Sequence, residues 1–295
     1  MNADRTTDDP RYHVDGELVP AAEATVSVDD RGFQYGDGAF ETLRAYGGAV
    51  FEWTAHRERL GRTCDRLGMP GAIPDDLRER VDRTLDANGF ADAYLKVCVT
   101  RGSQPGTLDP RPEVDPTVVV YANPLPRGGV DGTPVWDAPA RVRTVETRRA
   151  PDEVLPAGGK THNYLPSILA RLELRGTDAD EALVRDVDGA VASGTISNVF
   201  HVDDGVVHTP SVDAVPILPG VTRGVVLELA RDAGVPVETG TYVPADVREA
   251  DEAFLTNSTW ELRPVASVDG REVGGGPVTD RLTRLFDERV EAHYR

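Results

Sequence analysis

At 295 residues the chain is long enough to divide its core between two domains, and no run of about eighteen apolar residues offers a membrane span. A net charge of -18, from 50 acidic against 32 basic residues spread along the chain, would repel nucleic acid. The opening MNADRTTDDP is acidic and polar, which excludes a secretory signal and leads us to expect a soluble, cytoplasmic protein.

Residues Arg11 to Val19 and Ala24 to Val28 read as short strands, with turns at Asp15-Gly16 and Asp29-Asp30. In RGFQYGDGAFETLRAY, a glycine-rich loop around Asp37 leads into strand alternation. Phe40, Thr42, Arg44 and Tyr46 fall on one side and Ala39, Glu41, Leu43 and Ala45 on the other, before Gly47-Gly48 closes a hairpin. Thr54 to Leu67 sets Leu60, Cys64 and Leu67 at helical spacing, with Gly68 where a left-handed terminating residue belongs. Asp75 to Ala87 repeats the pattern with Leu77, Val81 and Leu85, ending before Gly89. Tyr94 to Thr100 and Thr117 to Ala122 are apolar, β-branched runs suited to buried strands, so the first half reads as an α+β layer. Cys64 and Cys98 are too few and too far apart for a zinc knuckle or a disulfide framework and read as small apolar packing residues.

Asn123 to Asp131, reading NPLPRGGVD, has two prolines, two glycines and no apolar period, as a linker would. It separates a first domain over residues 1–122 from a second over 132–295. Beyond it, Arg141 to Glu146 reads as a strand and Tyr164 to Leu174 as a helix with Ile168, Leu169 and Leu172 inward. Hairpins turn at Asp188-Gly189 and Asp204-Gly205, and helices follow from Arg223 to Ala233 and from Thr279 to Val290.

Only Lys96 and Lys160 among the basic residues are lysines; the rest are arginine, a bias that with the high acidity suggests adaptation to strong salt. It also narrows the chemistry, because an amine that must lose its proton and attack a carbonyl can be lysine but not arginine. Lys160 follows Gly158-Gly159, whose small size lets a bulky planar ring approach. In LPGVTRGVVLELARDAG, the Pro219-Gly220 turn precedes Thr222 as N-cap and a helix with a stripe of Val225, Val226, Leu229 and Ala233. Backbone N–H groups of Val221, Thr222 and Arg223, the Thr222 hydroxyl and the helix dipole could together bind a phosphate. An ordinary capped helix and a solvated loop lysine are the bland readings of these two features.

Taken in order, YGDGAFETLRAY, HRERL at His56 to Leu60, KTHNYL at Lys160, SGTISNVF at Ser193 to Phe200, LPGVTR at Leu218 to Arg223 and TNSTWELRPV resemble the class IV aminotransferases along nearly the whole chain. The resemblance implies a two-domain fold type IV pyridoxal-phosphate enzyme, D-amino acid aminotransferase-like. A smaller N-terminal α/β domain (α+β / α/β class) would precede a larger, barrel-like C-terminal one. It implies pyridoxal 5'-phosphate as cofactor, Lys160 as the lysine that carries it, and Arg59, Val221, Thr222 and Ser258 as phosphate contacts. Tyr164 would lie near the phenolic oxygen, one residue sooner after the lysine than in branched-chain aminotransferases. The family usually has a glutamate at the position of Ser193, where its carboxylate keeps the pyridine nitrogen protonated; a serine leaves a weaker electron sink. The resemblance further implies a homodimer acting on a small amine or amino acid, with the partner lending part of the active-site wall.

Three activities share this scaffold: branched-chain aminotransfer, D-amino-acid aminotransfer, and lysis of 4-amino-4-deoxychorismate to 4-aminobenzoate and pyruvate. After VTRGSQPG the D-amino-acid enzymes would carry an arginine and histidine pair, where Pro105 and Gly106 stand here. Branched-chain enzymes usually have a glycine after the glutamate of FE, where Thr42 follows Glu41. Because aromatisation drives the lyase reaction, it tolerates Ser193, and the lyase is the first expectation, with aminotransfer as the alternative and a non-catalytic, cofactor-binding relative as the remote one. Substrate carboxylates would need Arg44, Lys96, Arg101 or Arg263. No histidine pair has metal-ligand spacing, and His56 and His162 read first as structural.

Overall fold

The structure, a computed structural model, describes residues 10–127 and 134–294. The expected N-terminal polar stretch and the end of the Asn123–Asp131 linker lie outside the described residues. Two compact units emerge: Met1–Pro126 with Gly159–Asn163 and Tyr294–Arg295, and Arg127–Gly158 with Tyr164–His293.

The first unit runs β1 (Arg11–Val14), β2 (Glu17–Pro20), α1 (Arg31–Tyr35), β3 (Gly38–Tyr46), β4 (Ala49–Val50), α2 (Trp53–Arg66), α3 (Leu77–Asn88), β5 (Ala93–Thr100) and β6 (Val118–Pro124). Its strands pair antiparallel in the order β2-β1-β6-β5-β3-β4. Leu60 and Cys64 of α2 and Leu77, Val81 and Leu85 of α3 pack with Leu43, Leu95 and Val97 of the sheet in one core. Each large aliphatic side chain so buried contributes ~2 kcal/mol. Period-two alternation buries Leu95, Val97 and Val99 under the helices and turns Tyr94, Lys96 and Cys98 to the half-open face. Gly68 and Gly89 end the two helices at positive φ, +67° and +65°.

The second unit runs β7 (Ala140–Arg148), α4 (Leu165–Glu173), β8 (Glu181–Arg185), β9 (Val191–Ser193), β10 (Asn198–Asp203), β11 (Val206–Pro210), α5 (Val221–Asp232), β12 (Val237–Gly240), α6 (Pro244–Glu249), β13 (Glu252–Asn257), β14 (Glu261–Val268), β15 (Arg271–Glu272) and α7 (Pro277–Tyr294). Its sheet is mixed, in the order β12-β11-β10-β13-β14-β7-β8-β9 with β15 on β14. The β7–β8, β14–β7 and β11–β12 pairs are parallel. Val142, Leu183, Val199, Ala253, Leu255 and Val265 fill its core.

Several expectations are corrected. Ala24 to Val28 forms no strand: Val26 and Val28 are exposed, and the Asp30 N–H donates to the Ser27 carbonyl, closing a turn. α4 faces inward with Ala170, backed by Leu174, against Val145, Ala182 and Val184, while Leu165, Ile168, Leu169 and Leu172 are exposed. The inward stripe was expected on the bulkiest residues, yet the small Ala170 is the α4 residue that packs on the small and β-branched side chains of β7 and β8. α5 begins two residues earlier than expected, with Gly220 rather than Thr222 as its N-cap, and buries Leu227 and Ala230 where Leu229 and Ala233 were expected.

Candidate active site

Lys160 belongs by contact to the first unit, not to the second half of the chain that surrounds it in sequence. The reason is an antiparallel bridge: the Phe40 N–H donates to the Lys160 carbonyl (2.9 Å), the His162 N–H donates to the Gly38 carbonyl (2.9 Å), and Thr161 bridges Ala39. The segment from 160 to 162 is thus tied to the start of β3. A Cβ on Gly38 would meet the Val99 carbonyl at 3.0 Å and His162 Nδ1 at 3.2 Å, so a side chain there would press on β5 and on the lysine segment. Pairing fixes the faces: Thr161 is buried with Ala39, and Lys160 and His162 join the face of Phe40. The Lys160 ammonium lies 4.7 Å from the Phe40 ring centroid and that of Lys96 lies 4.4 Å from the same ring.

Beneath this face is a charged network that sequence reading missed. Arg59 of α2 donates Nε and Nη2 to the two oxygens of Glu41 (2.8 and 2.6 Å), and His56 Nδ1 pairs with Glu41 Oε2 at 2.8 Å. Burial pushes the Glu41 carboxyl up, but the Arg59 charge and hydrogen bonds from Arg59 and His56 outweigh it and hold it at about 2. Burial drives His56 the other way, and its pKa is lowered despite Glu41. Thr63 Oγ1 donates to the Arg59 carbonyl and accepts from the Lys160 N–H (3.1 Å), linking the network to the lysine segment. The signal was available: Glu41 sits on the apolar side of the β3 alternation, and HRERL supplies its partners.

In the second unit, α5 starts at Val221 with no side-chain cap on Gly220. Gly220 has φ -63°, which any residue adopts, but a Cβ there would meet Asn198 Oδ1 at 2.0 Å. Asn198 pairs in register with Thr256, so the helix start adjoins the TNSTW turn. Thr256 Oγ1 and Asn257 Nδ2 are buried there without a partner among the described residues, and the half-buried Ser258 follows. An open helix start beside orphaned hydroxyl and amide groups fits a phosphate.

Ser193 ends β9, and its hydroxyl donates to the Gly194 carbonyl (2.7 Å). Beside it, the fully buried Glu181 accepts from the Thr195 N–H (3.0 Å) and hydroxyl (2.6 Å), pinning the turn after Ser193. Tyr164 stands at the N-terminus of α4, half-buried.

Three of the four cations considered for substrate carboxylates hold structure. Arg44 donates to the Leu125 and Pro126 carbonyls, and Arg101 to Asp37 and the Leu67 and Gly68 carbonyls. Arg263 donates to the Ala138 carbonyl and pairs with Asp180 at 3.0 Å. Lys96 makes no ion pair among the described residues, and its ammonium lies over the Phe40 ring.

The amino-transferase class IV family model matches residues 38–268. A putative branched-chain-amino-acid aminotransferase of Methanocaldococcus jannaschii is 38% identical over 285 residues, 94% of this chain and 96% of that protein. A D-alanine aminotransferase of Staphylococcus aureus is 30% identical, covering 96% of this chain and 99% of that one. Among solved structures, the Thermoproteus uzoniensis branched-chain aminotransferase with norvaline superposes with a TM-score of 0.86 at 31% identity, covering 96% of this chain and 94% of that one. The pyridoxal-phosphate form of the Thermobaculum terrenum branched-chain enzyme does so at 0.86 and 27% identity, covering 96% and 95%. The chain belongs to the class IV aminotransferases, a family of pyridoxal-phosphate enzymes of fold type IV.

Proposed function

We propose that the protein is an aminotransferase that moves the amino group of a branched-chain amino acid to a 2-oxo acid. The observation that carries this reading is that the 38%-identical relative and the superposable structures are named for branched-chain aminotransfer. They favour aminotransfer over the lyase chemistry expected first. Bound here, pyridoxal phosphate would supply an aldehyde carbon for exchange of amino groups and a ring that withdraws electrons. In this reading Lys160 is the anchoring lysine and, once released by the substrate amine, the base for the proton on the carbon bearing nitrogen. Val221, Thr222 and Ser258 are proposed phosphate contacts. Arg59 is proposed as a further phosphate contact, oriented by its bidentate pair with Glu41. Tyr164 is proposed near the ring's phenolic oxygen and Lys96 at the substrate carboxylate. A homodimer is proposed as the working assembly, and sedimentation velocity tests it.

The lyase remains a second reading because Ser193 offers a hydroxyl where the family usually has a carboxylate. One experiment separates the readings. Purified protein with added pyridoxal phosphate is given leucine and 2-oxoglutarate, D-alanine and 2-oxoglutarate, or 4-amino-4-deoxychorismate alone. Glutamate from leucine supports the proposal; glutamate from D-alanine only, or pyruvate from the third mixture only, overturns it.

A further inference from the structure

Both lysines of a chain with 32 basic residues converge on one ring. Lys96 lies on β5, diagonal to Phe40 across the β3–β5 register, where Thr42 faces Lys96 and Phe40 faces Cys98. Lys160 reaches Phe40 from the opposite edge of β3, through the isolated bridge between Thr161 and Ala39. Since the two ammonium groups lie 4.4 and 4.7 Å from the same centroid, they stand no further apart than the sum of those distances.

The charges around them do not cancel Lys96. On the helix side, Glu41 is bound bidentately by Arg59, so that pair carries no net charge towards the amines. Burial lowers His56, and lowers His162 to about 4, with Lys96 adding to the effect at His162; both imidazoles are neutral near pH 7. Asp30 opposes Lys96 at His162, but its carboxylate is hydrogen-bonded to the Gly32 N–H and the Thr100 hydroxyl and forms no ion pair with Lys96 among the described residues. Burial raises the Cys98 thiol, leaving it uncharged. In a chain of 50 acidic residues, the half-buried Lys96 ammonium nevertheless has no carboxylate within ion-pair distance among the described residues.

Building on the assignment of Lys160 as the anchoring lysine, we infer that Lys96 is a positioning residue that holds the Lys160 nitrogen in its unprotonated, reactive form by like-charge repulsion. A positive charge this close disfavours a second one. An ammonium on an aromatic face supplies that charge while leaving it open to other contacts.

The test titrates the visible absorbance of the pyridoxal-phosphate-loaded protein against pH, without substrate. Lys96→Met and Lys96→Gln should raise the titration midpoint by roughly half to one unit, while Lys96→Arg, which keeps the charge, should stay near wild type. Raising the salt concentration should move the wild-type midpoint up and leave that of Lys96→Met in place. Unchanged midpoints in both neutral variants, with a visible band that Lys160→Ala abolishes, would overturn the inference and leave the cofactor assignment standing. No visible band in the wild type would overturn both.

Discussion

Replacing Glu41 by glutamine would keep the shape of its site but strand the Arg59 guanidinium in a buried position without its counter-charge. Breaking a buried pair from one side costs about 3 kcal/mol, so urea unfolding of Glu41→Gln at pH 7 should show a loss of that order. The sign with pH follows from the depressed carboxyl. Its stabilisation is complete above the ordinary value of 4.5 and is lost as pH falls towards about 2, so wild type and variant should converge across that interval. Ser193 makes a second residue-scale prediction. A glutamate there would offer the ring nitrogen a charge-assisted hydrogen bond worth about 1.5 kcal/mol, so Ser193→Glu should raise the leucine transamination rate by about tenfold. An unchanged rate would mean that the ring is not held against this strand end.

At the scale of elements, the start of α5 depends on a glycine for space rather than for backbone freedom. Gly220→Ala would push into Asn198, whose side-chain amide donates to the Leu218 carbonyl at 3.0 Å, and so disturb the turn leading into the helix. Dialysis of loaded protein should show cofactor retention weakened by about tenfold, the equivalent of roughly one lost hydrogen bond, with the far-UV dichroism unchanged. Most elements were legible because their apolar periods agree with the buried faces, as for Leu77, Val81 and Leu85 on α3 and for alternation along β5, whereas β3 is buried on both faces. α4 was misread since periodicity finds a helix's apolar stripe but not what covers it: its leucines and Ile168 are exposed while Ala170 is buried. The lysine segment was legible as a motif and illegible as a partner of β3. Three residues carry no period, and their bridge to β3 spans about two fifths of the chain. Local sequence likewise marked His56 and Arg59 but not their convergence on Glu41, a contact across 15 and 18 residues of chain.

For the whole molecule, a net charge of -18 sets a repulsion that folding must overcome. Salt shortens its reach from ~30 Å at 0.01 M to ~3 Å at 1 M, so the thermal unfolding midpoint should climb steeply over that range of KCl and then level. A midpoint indifferent to salt would count against adaptation to strong salt as the reason for the lysine-poor, acid-rich composition. That composition also makes the central assignment unusually easy to check. Side-chain amines occur only at Lys96 and Lys160, so a reductively trapped cofactor can reside on few nitrogens. The loaded protein is reduced with borohydride, digested and mapped by mass spectrometry. The account predicts a phosphopyridoxyl group on Lys160 in wild type and none on either lysine in Lys160→Ala. A label confined to Lys96 or to the α-amino group would contradict it.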